Sequence, residues 1–213
     1  MVVGALATAS TRVDAFELHV VGHSARSILL GHLLTALRKS AGRWPAVRAA
    51  SIHLYAPACT VAFADTHYAS DSDVMERLYL DVLSDKEERG DNVVSTYRKS
   101  LPYLVSNALE TDLRTPILGL DRINGVGDDG WDGSSDTGEV LSTWRKAAHD
   151  EALATRTTVV TSDRVRVAVD GSGDIVQRAC HGGFDNDIDV VARTVQRITG
   201  AKPALSTDDL RGR

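Results

Sequence analysis

One short apolar run places the strongest limit on how this chain can fold. The segment from Phe16 to Val21 is largely apolar, and it passes through Gly22, His23 and Ser24 directly into a segment of helical periodicity. A buried strand that turns sharply into a helix is the start of a βα unit. We therefore expect parallel strands covered by helices.

The rest of the chain repeats this alternation of short apolar runs and longer helical patterns. Such alternation predicts an α/β fold with a mostly parallel sheet and flanking helices. The pattern predicts strands at 16–21, 50–55, 77–83 and 175–179, an apolar alternation over 157–168, and helices at 25–39, 61–75, 88–109, 139–154 and 187–199. Pro102 is expected to kink or break the helix over 88–109.

Length and composition fit one globular unit. With 213 residues, 43% hydrophobic and 25% charged, the chain can bury one core, which we assign to residues 1–200. A stretch rich in glycine and aspartate over 124–138 predicts a flexible loop, and 201–213 predicts a frayed tail.

Charge and cysteine content exclude several classes of function. The net charge is −5 and no lysine or arginine run occurs, so nucleic-acid binding is not expected. No apolar run approaches the roughly 18 residues that span a bilayer, and no signal peptide is recognisable. Cys59 and Cys180 lie far apart and lack the spacing of zinc or disulfide sites. A cytoplasmic setting without a metal is expected.

Ser24 is the candidate nucleophile. A serine hydroxyl reacts poorly by itself and needs a strained turn, a nearby base and donors for an oxyanion. The strand, the turn formed by Gly22, His23 and Ser24, and the helix that starts at Ala25 would supply that presentation.

His181 is the candidate base. It lies between Cys180 and the pair Gly182-Gly183, directly after a short predicted strand. Glycines at this position let a loop bring an imidazole close to the end of another strand. A simple turn with a surface histidine would give the same local pattern, but the presence of Ser24 favours the base.

A catalytic histidine usually needs a carboxylate on its second ring nitrogen. Asp85 is our choice, because it lies at the carboxyl end of the third predicted strand, where catalytic groups of open α/β sheets gather. Glu87, Glu88 and Asp91 are alternatives, since a loop can bring any of them inward. An acidic helix start favoured by the helix dipole is a purely structural explanation of the cluster.

Three segments together resemble the carboxyl-terminal half of an α/β-hydrolase-fold serine hydrolase. They are the strand-Gly-His-Ser-Ala-helix unit, the stretch from Ser84 to Asp91 and the segment from His181 to Asp187. The resemblance covers residues 16–200, with 119–157 poorly matched. The order of serine, acid and histidine agrees with that fold.

The resemblance implies a serine esterase, lipase or amidase that acts on a small acyl substrate without a cofactor or a metal. By this resemblance Ser24 would be the nucleophile, Asp85 the acid and His181 the base. Gly22 and His23 would form the elbow, and the backbone N–H of Ala25 would be one oxyanion donor.

The chain departs from the family pattern in two ways. Arg26 stands where the G-x-S-x-G elbow has its last glycine, and its charge opposes the helix dipole. Only residues 1–15 precede the predicted elbow strand, whereas a complete fold of this family has several strands before it. We therefore expect the N-terminal strands and the second oxyanion donor to be missing.

A missing first half would leave the elbow strand at the edge of the sheet, open to self-association or to a partner chain. A truncated, catalytically silent homologue that acts as an interaction module is therefore the alternative function. A nucleotide-binding domain is disfavoured, because Gly22-His23-Ser24 has neither the glycine spacing nor the lysine of phosphate-binding loops.

Overall fold

Four parallel strands form the central sheet. The computed structural model of the protein describes residues 2–12, 16–44, 47–91, 100–124, 135–169 and 173–204. The strand order is β1-β2-β3-β4, and all neighbouring pairs are parallel. The strands are β1 (Leu18–His23), β2 (Ala49–Tyr55), β3 (Leu78–Leu83) and β4 (Thr157–Val160). Their carboxyl ends meet at one edge of the sheet, which confirms the predicted α/β fold.

Helices connect the strands, and many of them are short. The α-helices of the described residues are α1 (Val2–Ser10), α2 (Arg26–Ser40), α3 (Val61–Ala64), α4 (Ser72–Met75), α5 (Asp85–Gly90), α6 (Leu101–Leu104), α7 (Asp121–Asn124), α8 (Ser135–Asp150) and α9 (Ile188–Thr199). In the same residues, π-helical turns span Asp65–Ala69 and Val105–Leu109, and 3₁₀ turns span Leu153–Arg156 and His181–Gly183. Side chains cap several of these helices; the Ser84 hydroxyl, for example, accepts a hydrogen bond from Glu87 N at 3.4 Å.

The main core lies on one face of the sheet. Three almost fully buried side chains on neighbouring strands point to this face: Val20, Ile52 and Leu80. They belong to one cluster with Leu34 of α2 and Trp144 of α8. The apolar stripe of α2 and the period-two pattern of the strands therefore bury each other.

The opposite face carries a polar layer under α9. Asp81 of β3 is fully buried and accepts hydrogen bonds from Arg193 Nε at 2.9 Å and Arg197 Nη1 at 2.7 Å. The Tyr55 hydroxyl donates to Thr194 Oγ1 at 2.6 Å. Because α9 covers this face and α2 covers the other, the sheet is sandwiched between helices.

A β-hairpin follows the sheet and leads into the second candidate site segment. Strands β5 (Arg164–Val169) and β6 (Gly173–Arg178) pair antiparallel as a separate two-stranded sheet. The chain then enters the turn His181–Gly183 and continues into α9. The hairpin thereby sets where His181 meets the carboxyl edge of the main sheet.

Several predicted elements are divided differently in the structure. The helix expected over 61–75 is interrupted by the π-helical turn Asp65–Ala69. The helix expected over 88–109 is also divided: α5 ends at Gly90, and α6 begins at Leu101 with Pro102 in its first turn. Proline fits there because an N–H in the first helical turn has no hydrogen-bond acceptor within the helix, so its absence costs nothing.

Two sequence predictions lie largely outside the described residues. Within the predicted loop over 124–138, Asn124 ends α7 and α8 already begins at Ser135, and 125–134 are not described. Of the predicted tail over 201–213, only 201–204 are described. No helix in the described parts of the chain has both the length and the apolar character needed to cross a bilayer.

Candidate active site

Ser24 lies on a strained turn between β1 and α2. Its φ of 54° is in the left-handed region, which costs a non-glycine residue on the order of 1 to 3 kcal/mol. Ser24 N donates to Tyr55 O at 2.9 Å. Ser24 O accepts from the Ser27 hydroxyl at 2.7 Å and from Ala58 N at 3.1 Å. These bonds hold a conformation that an isolated peptide would leave.

The imidazole of His181 lies beside the Ser24 hydroxyl. Nε2 of His181 is 2.9 Å from Ser24 Oγ, and His181 is only 6% exposed. A neutral imidazole that accepts the serine proton at Nε2 carries its own hydrogen at Nδ1. The two predicted residues are thus brought within hydrogen-bond distance across 157 positions of sequence.

The structure places Glu88, rather than Asp85, next to His181. Glu88 Oε1 lies 3.7 Å from His181 Nδ1, and the Glu88 side chain is fully buried. Asp85 instead accepts a hydrogen bond from the Tyr103 hydroxyl and pairs with Arg89 Nε at 2.9 Å. Of the acidic candidates, the structure therefore places Glu88, and not our choice Asp85, beside the imidazole of His181.

The other two acidic candidates have different contacts. Glu87 is buried, with Lys86 Nζ at 3.4 Å and Arg178 Nη2 at 4.0 Å. Asp91 Oδ2 accepts the backbone N–H of His181 at 2.8 Å. The Asp91 side chain therefore contacts the main chain of His181 and not its imidazole.

The Glu88–His181 contact is longer than a hydrogen bond. Both Glu88 oxygens and His181 Nδ1 are buried and have no hydrogen-bond partner among the described residues. A buried carboxylate without a partner is costly, so the pair is favoured to close whenever the imidazole becomes charged. Catalytic hydrogen bonds are often long in the absence of substrate and tighten on binding.

The remaining elbow residues differ in burial, with Gly22 closely packed and the two residues after Ser24 exposed. A Cβ on Gly22 would come within 2.7 Å of Leu30 Cδ1, so glycine lets β1 and α2 approach closely. The Ala25 and Arg26 side chains are exposed at the start of α2. The guanidinium of Arg26 therefore does not fill the elbow.

A second serine in the sheet also contacts histidines but lacks the elbow. Ser51 Oγ lies 2.8 Å from His19 Nδ1 and 2.8 Å from His53 Nε2, and His19 Nε2 lies 3.4 Å from Glu17 Oε2. Ser51 is in the middle of β2 with 6% exposure, and its hydroxyl is shared by both rings. Sequence reasoning did not single out Ser51, and nothing in its backbone presents it to a substrate.

His53 and Cys59 are both uncharged near pH 7. Burial, reinforced by Arg197 and His19, lowers the pKa of His53 to about 4, so its ring is neutral near pH 7. Burial raises the pKa of Cys59 to about 12, which keeps that thiol protonated. In the described parts of the chain, no cluster of three or more histidine, cysteine or acidic residues could hold a metal ion.

A cavity of about 360 Å³ lies away from the site. It is lined by residues of α8 and of the following turn, among them Trp144 and Leu153, and it does not include Ser24 or His181. The candidate site lies instead at the carboxyl edge of the sheet, where Ser24 is half-buried and His181 is buried.

Comparison with known proteins gives no relative. No protein-family model matches the chain, and neither a curated protein nor a solved structure matches it. The functional argument therefore depends on the geometry of the site.

Proposed function

We propose that the protein is a serine hydrolase that acts on an ester or a related acyl bond. The observation that carries this proposal is the strained Ser24, whose Oγ lies 2.9 Å from Nε2 of His181. A serine held in a left-handed backbone conformation beside an imidazole has both the presentation and the base that nucleophilic attack needs.

In this proposal Ser24 Oγ attacks the acyl carbonyl while His181 Nε2 takes the hydroxyl proton. The tetrahedral intermediate collapses, the acyl–oxygen bond to the leaving group breaks, and His181 returns the proton to the departing alcohol. Water then attacks the acyl-enzyme by the same route and regenerates Ser24. Glu88, in place of Asp85, stabilises the imidazolium from the side of Nδ1.

The oxyanion that forms needs a hydrogen-bond donor. We assign one donor to the backbone N–H of Ala25, which follows the nucleophile and lies next to the first residue of α2. Dipoles at a helix start favour the developing negative charge.

An α/β-hydrolase-like fold is part of the same proposal. Its support is the parallel sheet, the strained serine after β1, and the chain order of Ser24, Glu88 and His181. A small acyl substrate and a cytoplasmic setting are also proposed, the latter because Cys59 and Cys180 are both free thiols.

A fluorophosphonate probe tests the nucleophile directly. Attack by Ser24 Oγ forms a phosphorus–oxygen bond, expels fluoride and passes the hydroxyl proton to His181. We expect mass spectrometry to locate the label on Ser24, and we expect Ser24→Ala and His181→Ala to prevent labelling. Ser51→Ala is the matched control, because Ser51 also contacts histidine, and its labelling should equal that of the parent chain.

The second candidate function is a catalytically silent interaction module. The outer edge of β1 pairs with no strand in the described parts of the chain, and Val21 on this strand is 46% exposed. An open ladder of this kind can add a strand from a second chain. A folded sample that takes up no probe would favour this function over the hydrolase.

A further inference from the structure

We propose that His23 and Asp91 are positioning residues that clamp the backbone of His181 and so set its imidazole against Ser24. This role rests on the proposed hydrolase function, which assigns the base to His181. His23 and Asp91 grip opposite sides of the same residue: His23 Nε2 donates to His181 O at 2.7 Å, and Asp91 Oδ2 accepts from His181 N at 2.8 Å.

The clamp joins three distant parts of the chain. His23 precedes the nucleophile at the end of β1, Asp91 follows the end of α5, and His181 begins the turn that leads towards α9. Two adjacent residues of the elbow therefore contact His181. Ser24 contacts its ring, and His23 contacts its carbonyl oxygen. A shift of the turn must break at least one of these contacts.

The turn His181–Gly183 needs such a restraint because little packs against it at Gly182. His181 is followed by Gly182, where an added Cβ would meet nothing within 4 Å. Glycine widens the range of backbone conformations open to a turn. With the N–H and the C=O of His181 both bonded to other segments, the direction of its Cα–Cβ bond is fixed.

The side chain of His23 is itself held in place. Its ring lies 6.2 Å from the ring of Phe184, and its Nδ1 lies 3.8 Å from Asp185 Oδ2. A carbonyl can only accept, so the hydrogen of this contact is carried by Nε2 of His23.

Asp91 and Glu88 belong to the same acidic segment but contact different parts of His181. Glu88 faces the imidazole at Nδ1, whereas Asp91 binds the main chain of the same histidine. The bond from Asp91 is charge-assisted, which makes it stronger than a bond between neutral groups. Of the four acidic candidates from the sequence, Glu88 thus lies beside the imidazole and Asp91 binds the backbone.

The test compares rate constants of fluorophosphonate labelling. We expect His23→Phe and Asp91→Ala each to slow labelling about 10- to 100-fold, since displacement of a catalytic group by about an ångström has effects of this size. His23→Gln keeps a donor and Asp91→Asn keeps an acceptor, so each should recover most of the lost rate. The double variant should lose less than the product of the single losses, because both contacts act on one residue.

Matched controls and a second readout separate positioning from general damage. His149→Phe and Asp150→Ala alter an exposed histidine and an exposed aspartate of α8, and they should leave the rate within about twofold. Hydrogen exchange of the His181 amide, which needs no catalysis, should accelerate at least about tenfold in Asp91→Ala.

The outcomes distinguish the two proposals. A labelled parent protein whose rate is unchanged in His23→Phe and Asp91→Ala overturns the clamp and leaves the hydrolase standing. Losses that His23→Gln and Asp91→Asn do not rescue also overturn it. A folded parent protein that is never labelled overturns the hydrolase, and the clamp fails with it as a catalytic device.

Discussion

At the scale of single residues, the site depends on which carboxylate faces His181. Asp85 and Glu88 lie three positions apart on α5, so their side chains leave the helix only about 60° apart around its axis. Their contacts nevertheless differ. Asp85 lies towards Tyr103 and Arg89, whereas Glu88 lies inside against the imidazole.

We predict that Glu88→Gln slows fluorophosphonate labelling about 10²- to 10⁴-fold, because the imidazolium formed during attack loses its countercharge. Asp85→Asn is the matched control, and it should leave the labelling rate within about threefold, since its contacts are with Tyr103 and Arg89. The reverse order of effects would restore Asp85 as the acid.

At the scale of elements, close approaches of backbone segments shape the elbow. Gly119 lies against the turn after β2, and a Cβ there would come within 2.5 Å of Pro57 O and 2.8 Å of Ala56 C. Ala58 in the same turn donates its N–H to Ser24 O at 3.1 Å. The packing around Gly119 therefore supports the turn that carries Ser24.

We expect Gly119→Ala to lower the free energy of unfolding by about 1 to 3 kcal/mol, because backbone atoms cannot move aside as a flexible side chain can. It should also slow the labelling of Ser24. Gly138→Ala in α8 is the matched control: nothing lies within 4 Å of an added Cβ, so the variant should gain about 0.5 to 1 kcal/mol from helix propensity. Urea unfolding of both variants measures these changes, and equal effects would contradict the packing argument.

At the scale of the whole molecule, α9 is fixed to the sheet by a buried polar layer. Asp81 pairs with Arg193 and Arg197, and the Arg197 guanidinium lies 4.8 Å from the centroid of the Tyr79 ring. His53 also stacks on the Tyr79 ring, with ring centroids 4.9 Å apart and planes 10° from parallel. Global stability therefore depends on the charge of groups in this layer.

We predict that the protein loses stability as the pH falls from about 6.5 to about 4. Because burial lowers the pKa of His53 below its unfolded value of 6.5, the unfolded chain binds the proton first on acidification. The contribution of neutral His53 is complete above pH 6.5 and declines to pH 4, with a total of about 3 kcal/mol. Urea unfolding across this range should show a flatter pH profile for His53→Gln, and parallel profiles would contradict the assignment.

The sequence by itself determined the α/β fold, the turn at Ser24 and the segment of His181, because these depend on local periodicity and local turn chemistry. The tertiary structure alone decided which acidic residue meets His181 and where α5 and α6 end. Asp85, Glu87, Glu88 and Asp91 share one short segment, so their positions in sequence differ little. Their partners differ because α5 docks with Glu88 inward and leaves Asp91 beside the backbone of His181, and that docking is set by contacts across the whole fold.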